Sequence, residues 1–203
     1  HKHISYGTLN DSDGNPFKTR DGGTKPLSEL FLETYAYIKK INNSLDESII
    51  SLLTNSVLTY SDLITNRKTD YKFDLEKFTN VNGKTGIYVQ YSQVRARKLL
   101  ENIEIKNNMV NHLNLNNIDK ELLSKLYLFS YFLEQSALLN EPHHLANYLY
   151  EISNLFNQFY ESEKISEIDE LDYLSSKIYI TNLFLTTSQN VMLCLGIVPV
   201  SKM

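Results

Sequence analysis

Tyr88, Tyr91 and Arg95 stand three and then four residues apart, a spacing that lines all three along one stripe of a helix. Phenol rings and a guanidinium on one edge suit single-stranded RNA, whose unstacked bases lie on aromatic planes while a cation holds phosphates or base edges. The same spacing also arises where tyrosines cap an apolar core and keep their hydroxyls wet. With fourteen tyrosines and no tryptophan in the chain, both alternatives stand at this level. Other clusters point to less. His143 and His144 follow Glu141, but adjacent helical histidines point about a third of a turn apart and lack a third partner at ligand spacing, so no metal is expected. Asp62, Asp70 and Asp74 alternate with Arg67, Lys68 and Lys72, a pattern expected of a salt-bridged surface linker. The single cysteine, Cys194, sits among Val191, Met192, Leu193 and Leu195 and reads as core, with no internal disulfide open to it.

The elements that must carry these residues are mostly helical. Pro26-Leu27-Ser28-Glu29 opens a helix with Leu27, Leu30, Phe31, Tyr35 and Ile38 at a 3.6-residue period, and a second runs from about Asp46 to Leu63. A loop around 72–85 follows. Four amphipathic helices are then predicted, over 86–104, 119–139, from Pro142 to about Phe159, and 172–195, with Gly196 as the stop. Four such stripes describe an all-α bundle. Residues 1–26 hold turn formers at Asp13-Gly14-Asn15-Pro16 and Asp21-Gly22-Gly23-Thr24 and read as a short hairpin and loop. On its own, that loop with Lys18 and Arg20 is a solvated turn carrying two cations.

The formal net charge of -4 is unevenly spread. Residues 60–110 carry nine lysines and arginines against six acids, whereas from 109 onward the balance is five against eleven. A bound phosphate backbone is therefore expected along the middle segment. No apolar run approaches the roughly 20 residues needed to span a bilayer, and no leader pattern opens the chain; the cytoplasm is the expected compartment. The start at His1, without methionine, suggests a truncated chain.

The wording of the sequence carries a resemblance that periodicity does not. Tyr6-Gly7 with Phe17-Lys18-Thr19-Arg20-Asp21-Gly22-Gly23-Thr24 resembles the stretch of arginyl-tRNA synthetases that stands where other class I synthetases have the KMSKS loop. Tyr60-Ser61-Asp62-Leu63, Arg67 and Asp70-Tyr71-Lys72-Phe73-Asp74 are similar to that family's Y-x-D-L…R…D-Y-x-F-D run. The stretch from Gly83-Lys84-Thr85 through Tyr88, Gln90 and Tyr91 to Arg95 resembles its G-x-T-x-x-Y-x-Q-Y-x-x-x-R motif. Glu141-Pro142, Asn147-Tyr148-Leu149, Phe159-Tyr160 and the terminal Leu195-Gly196-Ile197 to Met203 are similar to its closing helices. Pro16 departs from the lysine that begins a KMSKS motif, and Lys177 stands where the family often has arginine.

The resemblance implies that residues 1–72 end a catalytic domain, 73–85 link, and 86–203 form a DALR-type anticodon-binding domain. It implies an arginine–tRNA ligase that uses ATP with Mg2+, arginine and tRNA(Arg), as a monomer, with Lys18 and Arg20 at the ATP phosphates. It further implies an anticodon pocket of Tyr88, Tyr91, Arg95, Tyr160 and Met203, with Gln90 and Arg97 as weaker candidates. The HIGH-type ATP motif is not found, so this fragment alone is expected to bind and not to turn over. Two rivals remain: a protein-interaction bundle without an RNA role, favoured by the acidic second half, and the related domain of a cysteinyl-type enzyme, against which the Phe17-Lys18-Thr19-Arg20 wording argues.

Overall fold

The computed structural model describes residues 3–10, 26–103 and 113–203, and among them eight α-helices dominate. None is long and apolar enough to cross a membrane. Helix α1 (Leu27–Ile41) is followed by α2 (Glu47–Leu63), whose Ile50, Leu53, Val57 and Tyr60 are buried. The short strand β1 (Leu9–Asn10) pairs in parallel with β2 (Tyr71–Lys72), Leu9 opposite Tyr71. The strand thus pairs outside the expected hairpin over 1–26, with residues 71–72; residues 11–25, with Lys18 and Arg20, lie outside the described residues. Within the expected loop at 72–85, Asp74 caps the single turn α3 (Leu75–Phe78) by accepting the Lys77 N–H at 3.0 Å.

Helix α4 (Gly86–Glu101) begins at Thr85, whose hydroxyl accepts the Tyr88 N–H at 3.1 Å. Its first residue is glycine for a steric reason. A Cβ on Gly86 would lie 2.3 Å from the backbone oxygen of Ser56, so α4 touches α2 backbone to backbone. Gly86→Ala is expected to cost about 1–3 kcal/mol as the two helices are forced apart, a loss that urea unfolding measures; an unchanged midpoint would show that the contact yields freely.

The expected helix over 119–139 is two helices, α5 (Asn117–Leu126) and α6 (Phe129–Leu139). The apolar period runs on through the break, which hid it. The break serves packing: α5 buries Leu122, Leu123 and Leu126, whereas α6 buries none of its residues fully and sets Phe129 and Phe132 against Tyr148 at 6.5 and 4.7 Å between ring centroids. Helices α7 (His143–Ser162) and α8 (Leu171–Cys194) complete the bundle, with Phe156 and Phe184 stacked at 4.1 Å. Helix α8 ends as expected: Gly196 has φ 74° and the Ile197 N–H returns to the Met192 carbonyl at 2.8 Å. Cys194, expected in the core, is exposed, because Val191, Met192 and Leu195 take the buried side of that last turn.

Two apolar clusters share α4. One joins Val89, Ala96 and Leu99 to Leu122, Leu149, Phe156 and Ile180; the other joins Ile87 and Val94 to Ile38, Ile50, Leu53 and Val57. Tyr60 crosses between them, donating its hydroxyl to the Ala146 carbonyl at 2.9 Å.

A charged cluster sits deep in the bundle. The Lys177 ammonium on α8, with no exposed surface, lies 2.6 Å from Asp119 Oδ1 and 2.6 Å from Glu163 Oε1. The Tyr173 hydroxyl also donates to Glu163, at 2.7 Å. Asp119 accepts the Asn116 N–H in the capping box of α5, so the cluster ties α5, the end of α7 and α8 together.

Candidate nucleic-acid interface

Packing leaves α4 one open side. Ile87 and Val94 turn toward α2, Val89 and Leu99 toward α7 and α8, and Gln93 donates to Ser188 Oγ at 2.6 Å. Tyr88, Tyr91 and Arg95 remain on the free edge, beside the polar stripe of α7 formed by Tyr150, Asn154, Asn157 and Glu161.

The Arg95 guanidinium carbon lies 4.4 Å from the Tyr91 ring centroid and 5.1 Å from that of Tyr160, so the cation is held between two phenols from different helices. Its Nη1 donates to Glu161 Oε1 at 2.7 Å and to Asn157 Oδ1 at 3.3 Å. Asn157 in turn donates to Ser92 Oγ at 2.9 Å, which fixes its amide. Tyr88 donates to Asn154 Oδ1 at 3.3 Å, and burial pushes its phenol above the usual range. Tyr91 is exposed, whereas Tyr88 and Tyr160 are half-buried and pack one side on the core. The two alternatives for these tyrosines therefore combine: their rings lean on the core and their edges stay open. Next to Tyr160 lies a cleft of about 360 Å³, walled also by Leu99, Glu161, Lys164 and Ile165.

The other expected residues are placed elsewhere. Gln90 is fully buried, and its whole amide is engaged: it donates to Ser56 Oγ and the Val198 carbonyl, both at 2.8 Å, and accepts the Val200 N–H at 2.9 Å. That amide pins the C-terminal tail to α4 and has no group left for RNA. Met203 is half-buried and packs against the cluster of Ile87, Val94 and Val200. Arg97 is half-buried too, and its Nε is buried without a hydrogen-bond partner among the described residues.

The aspartates of the supposed salt-bridged linker bind other donors. Asp62 accepts the Tyr71 hydroxyl at 2.9 Å, Asp70 the Thr8 N–H at 2.7 Å, and Asp74 caps α3. Arg67 and Lys68 turn instead to Glu141, at 4.0 and 3.2 Å from Oε1. This bears on the histidine pair. Glu141, His143 and His144 do bring one ligand atom each within 4.8 Å of one another, closer than their spacing suggested. The two cations on Glu141 oppose a divalent ion there, and Glu141 Oε2 faces His144 Nε2 at 3.3 Å as a helix-start contact.

Sequence spacing found the α4 side of this surface and missed Asn154, Asn157 and Glu161. Their signal was present as the i, i+3, i+4 run of Tyr150, Asn154, Asn157 and Glu161, overshadowed by the apolar stripe of the same helix.

A family model described as the DALR anticodon binding domain matches residues 89–203. The arginine–tRNA ligase of Francisella tularensis subsp. novicida is 35% identical over 186 residues, covering 87% of this chain and 32% of the relative. That of Alcanivorax borkumensis is 33% identical over 211 residues, covering 99% and 36%. Among solved structures, the arginyl-tRNA synthetase of Thermus thermophilus superposes with a TM-score of 0.84 at 19% identity, over 99% of this chain and 35% of that one. That of Plasmodium falciparum gives 0.74 at 23% identity, over 87% and 33%. The chain thus spans about a third of the length of the curated relatives it matches.

Proposed function

The chain belongs to the DALR anticodon binding domain family, and from that membership we propose that it is the C-terminal part of an arginine–tRNA ligase, gripping the anticodon loop of tRNA(Arg). One observation carries this: a guanidinium held between two phenols, on an edge that packing leaves open. Flipped-out loop bases stack on Tyr91 and Tyr160, and Arg95 meets a phosphate or base edge once Glu161 swings aside. Glu161 is exposed, so its displacement is a surface event.

For the whole protein we infer an ATP-dependent, two-step attachment of arginine through arginyl-adenylate. ATP enters with Mg2+, and Lys18 and Arg20 are assigned to its phosphates. The protein is taken to work in the cytoplasm as a monomer, and the fragment alone to bind without turnover.

The second reading, a protein-interaction bundle, has its own observation in α6, where Tyr131 and Leu138 are exposed and no residue is fully buried. Binding of an arginine tRNA transcript and of one altered only in the anticodon, followed across salt concentrations, separates the two. The proposed function expects salt-dependent binding that is weaker for the altered transcript; equal or absent binding favours the interaction module.

A further inference from the structure

The polar stripe of α7 does not stop at Asn154. One turn earlier stands Tyr150, half-buried, its ring centroid 5.5 Å from that of Tyr88 with the planes inclined at 45°. Over the Tyr150 ring, at 5.5 Å from its centroid, lies the ammonium of Lys84, an exposed residue directly before the cap of α4. Lys84 is steadied by Asn147 Oδ1 at 2.7 Å, so a neutral amide and a ring hold it and no carboxylate among the described residues does. Arg95, by contrast, must give up Glu161.

Tyr150 also walls a cleft of about 470 Å³ with Asn154, Lys125 and Gln158. Glu121 and Glu151 line the same cleft, and Glu151 is paired with Lys125. Acids there disfavour a phosphate and tolerate the uncharged face of a base. The cation for a phosphate stands at the neighbouring helix start, as Lys84. Cation and aromatic thus alternate along one edge, from Lys84 and Tyr150 through Tyr88 to Arg95 with Tyr91 and Tyr160.

We propose that Tyr150 and Lys84 form a second stacking subsite that takes one further unpaired nucleotide of the same RNA loop, its base on the Tyr150 ring and its phosphate on the Lys84 ammonium. The inference rests on the RNA-gripping function proposed above. Stacking makes the subsite tolerant of base identity, since every base offers a π-face. A lysine serves as a point charge for phosphate and does not read a base edge as a guanidinium fork does. The subsite therefore adds affinity and sets the path of the strand, while discrimination stays with Arg95.

Fluorescence anisotropy with the 203-residue chain and a labelled arginine anticodon stem-loop tests it, with loop nucleotides replaced one at a time by abasic ones. Tyr150→Ala is expected to weaken binding about tenfold, and this loss is expected to vanish on the RNA that is abasic at a single loop position. That position should differ from the one that silences Tyr91→Ala. Lys84→Gln, at an exposed site that folding does not need, is expected to weaken binding several-fold and to flatten the salt slope by about 0.7. Binding that falls with Arg95→Ala but is untouched by Tyr150→Ala and Lys84→Gln overturns the subsite and leaves the proposed function standing. A Tyr150→Ala loss equal on every abasic RNA overturns it as well, as it marks Tyr150 as packing only. No binding by the unaltered chain overturns both.

Discussion

Replacing Lys177 with alanine lowers folding stability by about 3–5 kcal/mol, read as a fall in the urea midpoint at unchanged slope. The size follows from what is left behind. Asp119 has no exposed surface, and its Oδ1 is the atom that Lys177 holds at 2.6 Å. Without the ammonium, that carboxyl group is left without its cation in a site water does not reach. Glu163 loses the same partner, and the Phe159 and Tyr173 rings, 5.0 and 4.6 Å from the ammonium, lose their cation. A loss below about 1 kcal/mol would instead mean that Asp119 turns out to solvent.

The pH dependence checks the same cluster from the other side. Burial pushes the Glu163 carboxyl up, but hydrogen bonds from Lys177 and Tyr173 outweigh it and hold it below the usual range. Its stabilisation is complete above the ordinary carboxylate range and is lost as pH falls through the depressed folded value. Burial pushes Lys177 down, but its bonds to Asp119 and Glu163 outweigh that and raise it. That contribution is complete below the ordinary lysine value and is lost as pH rises through the raised one. Stability of the unaltered chain is therefore expected to fall at both ends, and Lys177→Ala is expected to remove this lysine's share of the alkaline loss.

On the proposed function, Arg95→Ala is expected to lower affinity for the arginine anticodon stem-loop by about ten- to a hundredfold. The guanidinium is the centre of the arrangement, flanked by Tyr91 and Tyr160, so its removal takes away a charge and also the spacer that separates the two rings. Folding is expected to lose little, since the Glu161 end of its ion pair is exposed and such pairs contribute about 0–1 kcal/mol. Binding isotherms beside thermal melts separate the roles: a melting temperature lowered by many degrees would assign Arg95 to the fold.

Helix positions were legible because apolar residues recur at the helical period, and Gly196 marks the last stop. The gap between α5 and α6 was not, since Leu122, Leu126, Phe129 and Leu133 keep the same period across it. In the candidate site, Tyr88, Tyr91 and Arg95 could be grouped by spacing alone because they share one helix. Their α7 partners lie more than sixty residues away, and no local rule joins them. Gln90 belongs to the same motif as its neighbours, and only burial reveals that it serves the tail. Lys177 on an apolar helix is likewise silent: a sequence does not say which of eleven acids after position 109 will meet it.

The contact at Gly86 has a mechanical meaning. At Gly86 main chain rests on main chain between α2 and α4, so at that one point no side-chain rotamer lies between them to absorb a tilt. On the proposed function, a nucleotide pulling on Tyr88, two residues along, is expected to pass its load into α2 at this contact rather than swing α4 about its start. Such a junction is expected to act as a weld and not as a pivot, holding α2 at a fixed bearing to the edge that carries Tyr88, Tyr91 and Arg95.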